Sequence, residues 1–278
     1  MNELPECVNL ARQLQDTVAG KRIRGARANA SPHGFAWFWG DPALYPAMLE
    51  GRAIQDATTH GMYLELLLDD DMRVGYNDGV NLRYHAPGAK RPEKHQLLLD
   101  FEDGSALIAS VQMYGGLFAF PAGAMVDNKY YRAAYDKPSP LSDAFDAAYF
   151  AGILSAASPK LSAKALLATE QRVPGLGNGV LQDILFRARI HPKRKVGALS
   201  SAQCDALFGS VKQTLADMTA GGGRDVEKDL FGKPGGYRTL LSNKTAQFPC
   251  PVCGAAIVRQ AYLGGNVYFC PVCQPLEN

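Results

Sequence analysis

Apolar residues recur at helical spacing near the start of the chain. Val8, Ala11, Leu14 and Val18 fall on one face between residues 5 and 19, Pro5 and Glu6 suit a first turn, and Gly20 ends the run. From 21 to about 120 the pattern becomes that of strands. Met62-Tyr-Leu-Glu-Leu-Leu-Leu68 precedes the turn-forming Asp69-Asp70-Asp71, and His95-Gln-Leu-Leu-Leu-Asp-Phe101 precedes Asp103-Gly104. Gly, Pro and charge break these runs at short intervals, as in an antiparallel sandwich or barrel. Beyond Asp136-Lys-Pro-Ser-Pro-Leu-Ser142, a Pro-rich linker, the periodicity turns helical again near 143–156, 161–171, 178–188 and 200–219. Gly221-Gly-Gly223 through Lys233-Pro-Gly-Gly236 reads as a flexible, polar loop, and no internal repeat is present.

The length of 278 residues suits about two domains, and a hydrophobic share of 47% supports a real core. Nothing approaches eighteen consecutive apolar residues, and the opening Met1-Asn2-Glu3-Leu4-Pro5-Glu6 lacks the basic and apolar stretches of a secretory leader. A soluble cytoplasmic protein with no membrane partner is expected. The net charge of +2 is unevenly placed: residues 137–278 hold 16 Lys and Arg against 10 Asp and Glu, a net of +6, leaving −4 on residues 1–136. A basic C-terminal half fits a polyanion, although scattered solvated charge gives the same count.

The cysteines are more specific. Cys250-Pro-Val-Cys253 and Cys270-Pro-Val-Cys273 are separated by sixteen residues. Two tight-turn thiolate pairs joined by a hairpin are what one tetrahedral zinc ion needs, and four thiolates leave no open position for water, so the ion is expected to be structural. Two disulfides, or four unrelated buried cysteines, are the alternatives, and a reducing compartment disfavours the disulfides. Cys7 and Cys204 have no partner at ligand spacing and read as ordinary buried residues.

Residues 164–192 read KALLATEQRVPGLGNGVLQDILFRARIHP. One helix is expected to end near Gln171, and Pro174-Gly-Leu-Gly177 to lead into a second starting near Asn178. Glycines there let backbone approach a ligand, free N–H groups suit a phosphate, and Asn178 could cap the helix and offer its amide to the same anion. A glycine turn used only for packing would look the same.

This segment resembles the helix–two-turn–helix of the formamidopyrimidine-DNA glycosylase / endonuclease VIII family. The family's zinc finger has the same cysteine spacing followed by Gln, here Gln274, and Glu3-Leu-Pro-Glu6 resembles the family's opening. The resemblance implies an α+β multidomain chain: an N-terminal β-sandwich with a leading helix over 1–136, a helix–two-turn–helix domain over 137–240, and a four-cysteine zinc-finger hairpin over 241–278. It also implies a monomer that binds damaged or distorted double-stranded DNA in the cleft between domains, in the cytoplasm on the nucleoid. Family enzymes flip a damaged base out, attack C1′ with an N-terminal proline amine, and cut the strand by elimination from a Schiff base, with an adjacent glutamate moving protons.

This chain departs from that pattern at several places. Asn2 stands where the proline would be, so the terminal amine is expected to belong to Met1, one residue out of register. Glu3 is retained and could act as general acid/base, or could simply complement the helix dipole, as is expected of Glu6. Met62 replaces the family's strand lysine. The hairpin arginine would fall at Gly265 or Asn266, which offer no charge. The loop Tyr76-Asn-Asp-Gly79-Val80 lacks the family's methionine wedge, and Gln112-Met113-Tyr114 reads more as a strand-end apolar cluster than as a substitute. Lys164, Gly175, Gly177, Asn178, Gly265 and Asn266 are the expected DNA contacts, and Met1, Asn2 and Glu3 the candidate catalytic positions. The favoured expectation is damaged-DNA binding without the proline chemistry. The alternatives are a glycosylase/lyase using the Met1 amine with Glu3, and a protein-interaction scaffold.

Overall fold

The computed structural model describes residues 1–77, 79–125 and 128–276. The first helix, α1 (Leu4–Val18), begins and ends one residue earlier than the expected 5–19. Glu3 and Glu6 form a reciprocal capping box there, and Pro5 sits in the first turn where its missing N–H costs nothing. The strand-rich stretch then contains β1 (Ile23–Ala28), β2 (Ala36–Phe38), a short helix α2 (Tyr45–Leu49), β3 (Ile54–His60), β4 (Tyr63–Leu68), β5 (Met72–Asn77), β6 (Val80–His85), β7 (Leu97–Phe101), β8 (Ala106–Val111) and β9 (Gly115–Pro121).

These strands form two sheets rather than one closed barrel. One runs β2-β9-β5-β4-β3 and the other β1-β7-β8-β6, all pairings antiparallel except β2 with β9. Alternate residues of both, among them Leu66, Val74, Leu82, Leu97, Leu99 and Leu117, meet in one core. The Asp69–Asp71 turn is where the sequence places it, with Asp70 and Asp71 both at positive φ.

The helical half comprises α3 (Lys129–Asp136), α4 (Ala147–Ala156), α5 (Ala163–Ala168), α6 (Val180–Arg187) and α7 (Ser201–Ala220). Helix α3 has no counterpart in the periodicity; Asn128 starts it by accepting from the Tyr130 and Tyr131 N–H groups. Helix α5 ends earlier than expected. Glu170 and Gln171 both take left-handed backbone (φ 57° and 46°), which no helix can continue through. The chain closes with the hairpin β10 (Val258–Tyr262) and β11 (Gly265–Phe269), turned by Leu263 and Gly264 at φ 47° and 73°. Two consecutive positive values match the twist of a two-residue hairpin.

Helix α1 belongs to both halves. Leu10, Ala11, Leu14 and Val18 pack in the sandwich core, whereas Leu4 packs in the helical core with Leu166, Leu176 and Val180. Each buried leucine contributes roughly 1.5–3 kcal/mol, so this one helix fastens the halves together. The stretch 221–236, expected to be flexible, is instead pinned: Leu230 is buried in the sandwich core and Arg224 is 2% exposed.

Candidate nucleic-acid interface

The glycines after α5 are explained by what lies against them. A Cβ on Gly175 (φ 81°) would stand 2.7 Å from the Leu4 Cβ; one on Gly177 would stand 2.8 Å from the Glu3 carboxyl carbon; one on Gly179 would overlap the Arg224 guanidinium. The groups the bare backbone admits are therefore the chain's own, the N-terminal segment at Gly175 and Gly177 and Arg224 at Gly179.

Glu3 occupies the anion position at the start of α6. Its carboxylate accepts from the backbone N–H of Gly177 (3.0 Å), Gly179 (2.7 Å) and Val180 (2.9 Å), and it is 1% exposed. A negative group at a helix N-terminus meets both free N–H donors and the positive end of the dipole. Two expectations are corrected here. Asn178 does not cap α6; its Nδ2 donates to the Asn266 carbonyl at 2.9 Å, and the capping group is Glu3. The N–H groups of Gly177, Gly179 and Val180, expected to await a phosphate, are filled by that internal carboxylate.

Arg224, which sequence reasoning missed, is the cation of this centre. It donates through Nε to one Glu6 oxygen at 3.0 Å and through Nη2 to the other at 2.8 Å, while its backbone N–H donates to Glu6 at 2.9 Å. Its Nη1 lies 3.6 Å from Glu3, and its Nη2 also donates to the Met1 carbonyl. Burial would raise the Glu6 carboxyl, but the charge and hydrogen bonds of Arg224 overcome this and hold it below the usual carboxylate range. Burial would likewise lower the guanidinium, and the Glu6 and Glu3 carboxylates keep it raised. A signal was available. Glu6 shares its helix face with Leu10 and Leu14, and an acid on an apolar face demands a buried partner.

The Met1 amine pairs with the Glu227 carboxylate at 2.5 Å, and the Asn2 side chain turns away to donate to the Val80 carbonyl at 3.1 Å. In an ion pair the amine's electron pair holds a proton, so attack on carbon would require that proton to leave and the pair to open. Asn2 fastens the terminus to the sandwich.

Most of the other expected site residues converge. Met1, Glu3, Met62, Lys164, Asn178 and Gly265 border one cavity of about 240 Å³ between the two halves, with the hairpin tip Leu263 across from them. Gly177 lines it too, while Gly175 and Asn266 act from behind, through packing and through a backbone carbonyl. Lys164 is 3% exposed and directs its ammonium to the Tyr262 carbonyl; burial lowers its pKa. It ties α5 to the hairpin at the cavity wall. Gln182 reinforces this joint, accepting from the Tyr268 N–H and donating to Asn266, and buried Gln274 links Cys270 to the Ile190 carbonyl. Met113 is 68% exposed, so the apolar-cluster expectation for it is corrected. Of the loop carrying Gly79, Asp78 lies outside the described residues.

The four hairpin cysteines present their sulfurs within 4.8 Å of one another. Cys250 and Cys273 Sγ are 3.8 Å apart and Cys253 and Cys270 Sγ 3.4 Å. A disulfide needs about 2.05 Å. Sulfurs about 2.3 Å from a common tetrahedral centre lie close to the observed spacing, so the donor set and its geometry fit a zinc ion.

Comparison with known proteins agrees with this geometry. Residues 1–137 match the model of the formamidopyrimidine-DNA glycosylase N-terminal domain, and residues 137–228 that of the formamidopyrimidine-DNA glycosylase H2TH domain. The chain is 32% identical to formamidopyrimidine-DNA glycosylase of Symbiobacterium thermophilum, over 99% of this chain and 90% of the other, and 30% identical to that of Geobacillus kaustophilus, over 99% and 100%. Among solved structures it resembles Lactococcus lactis Fpg in complex with DNA containing an abasic site (TM-score 0.83, 25% identity, 98% and 99% covered). It also resembles MutM (Fpg) of Thermus thermophilus (TM-score 0.81, 25% identity, 99% and 100% covered).

Proposed function

The chain belongs to the formamidopyrimidine-DNA glycosylase family of DNA-repair proteins, and from that premise we propose that it binds damaged or abasic duplex DNA without the family's proline-based strand cleavage. The observation that carries this reading is the state of the N-terminus. The amine is paired with Glu227, and the Glu3 carboxylate is surrounded by three backbone N–H groups and Arg224. A nucleophile and a proton carrier both committed to structure favour recognition over chemistry. The cleft cavity would accept the abasic sugar; the Lactococcus lactis relative is solved in complex with DNA containing an abasic site. Cys250, Cys253, Cys270 and Cys273 would hold one zinc ion, which supplies rigidity to their hairpin. The protein acts as a monomer on nucleoid DNA in the cytoplasm; no helix among the described residues is long and apolar enough to cross a membrane.

Titration of an abasic duplex against the protein at several salt concentrations tests this. Affinity should fall steeply with salt while the strand stays intact. Strand cleavage would overturn the reading, and absent binding at low salt would favour an interaction scaffold. A second reading, lyase chemistry by the Met1 amine, is favoured by one fact: Met1 and Glu3 both border the cleft cavity.

A further inference from the structure

The stretch from Arg224 to Tyr237 follows α7 yet is held by both halves of the molecule. On the helical side its ends are tied together. The Gly236 N–H donates to the Gly221 carbonyl (2.8 Å), the Tyr237 N–H to the Gly223 carbonyl (3.1 Å), and the Asp225 N–H to the Tyr237 carbonyl (2.8 Å). Between these ends the chain crosses to the sandwich. Leu230 is fully buried in the sandwich core, and its carbonyl accepts from the Tyr84 N–H of β6 at 3.0 Å. The Phe231 ring meets Tyr84 edge-on, with centroids 6.2 Å apart. Gln13 of α1 grips the same turn twice: its Nε2 donates to Asp229 at 2.9 Å, and its Oε1 accepts from the Leu230 N–H at 3.0 Å.

The strap is cross-tied within itself. Asp229 Oδ1 accepts from the N–H groups of Phe231 and Lys233 (3.0 and 2.7 Å), and the Asp229 N–H donates to the Lys233 carbonyl (2.8 Å). The Gly235 N–H donates to the Glu227 carbonyl (3.2 Å). A turn tied in this way moves as one piece, so the anchor at Leu230 sets the position of Glu227. That carboxylate holds the Met1 amine at 2.5 Å, with Arg224 Nη2 4.0 Å away. A partly exposed ion pair holds weakly by itself; the buried leucine is the stronger fastening.

We propose that this strap is a self-masking clasp. Leu230 and Gln13 lock it to the sandwich and α1, the lock holds Glu227 against the Met1 amine, and withdrawal of the anchor frees the amine into the cleft. Because the strap's ends belong to the helical half and its anchor to the sandwich, parting the two halves pulls on the leucine. The inference rests on the reading that the amine is committed to the fold.

Limited acetylation of the full-length protein with an N-hydroxysuccinimide ester, followed by tryptic mass spectrometry, reads the amine directly. Residues 1–12 end at Arg12 and contain no lysine, so acetyl on an amine of that peptide reports Met1 alone. Buried Lys164, tied to the Tyr262 carbonyl, reports general loosening in the same digest. Glu227→Gln should raise the rate at Met1 about fivefold. Leu230→Ala and Gln13→Ala, which leave Glu227 in place, should each raise it by more than about twofold with Lys164 as slow as in the wild type. Gln13 is only partly buried, so Gln13→Ala decides the matter should Leu230→Ala fail to fold. An increase with Glu227→Gln but with neither anchor variant overturns the clasp and leaves the paired amine standing. Parallel increases at Met1 and Lys164 overturn the clasp as well. A wild-type rate equal to that of Glu227→Gln removes the commitment of the amine and the clasp together.

Discussion

The two ends of the chain each build a convergent cluster, by opposite means. At the C-terminal end, four cysteines within 24 residues bring their sulfurs within 4.8 Å through two tight turns and a hairpin. At the N-terminal end, Met1, Glu3 and Glu6 meet Gly177, Gly179, Arg224 and Glu227, groups more than 170 residues away, through the packing of α1 between two cores. The first cluster can assemble locally around an ion. The second exists only when the whole fold does, so damage to it should be felt globally.

Arg224→Ala is expected to have the largest effect. It strands the Glu6 carboxylate, and with it part of the Glu3 environment, in the interior, a loss of roughly 3–5 kcal/mol. Urea unfolding should show a lower midpoint for the entire cooperative transition. A shift confined to one half would break the contrast. Chelation of the ion, or Cys270→Ser, should by comparison expose residues 250–276 to proteolysis and abolish duplex binding while the sandwich still unfolds near its original midpoint.

Glu3→Gln should be intermediate. It replaces three charge-assisted hydrogen bonds at the start of α6 by weaker ones and sets an NH₂ against N–H donors, a cost of roughly 1.5–3 kcal/mol. If Glu3 serves structure, thermal unfolding will register the change; if it serves chemistry, stability will hold.

Acid titration separates the two environments more finely. Glu6 is held below its ordinary value of 4.5, so its contribution is present above that pH and is lost as the pH falls through the lowered folded value. Asp183, buried on α6 and accepting from Tyr237, Leu240 and Leu241, has its carboxyl pushed up to about 6 by burial. Its contribution has the opposite sign: present below its ordinary 3.8 and lost as the pH rises through about 6. Asp183→Asn should flatten the stability change between about pH 4 and 6 and leave the loss below about pH 4.5 in place, as read from urea midpoints across that range.

The contrast also explains what the sequence could reveal. The cysteine spacing, the α1 stripe and the Pro174–Gly177 turn are local patterns, and each appears where it was expected. Glu6 on the apolar face of α1 signalled that a buried cation was needed, but not that it was Arg224, which follows three glycines in a polar stretch with no periodicity 218 residues away. The glycine turn was ambiguous for a related reason: room for a phosphate and room for an internal carboxylate require the same residues.

The smallest structural effect attaches to the most consequential group. Glu227→Gln removes a partly exposed ion pair worth at most about 1 kcal/mol, yet it releases the Met1 amine into the cleft. The central claim is that this amine is committed to the fold and forms no Schiff base. Borohydride trapping on an abasic duplex, read by intact-protein mass, tests it most directly. The wild-type chain should bind the duplex and show no covalent DNA adduct at neutral pH; a clear wild-type adduct that maps to Met1 would contradict the account.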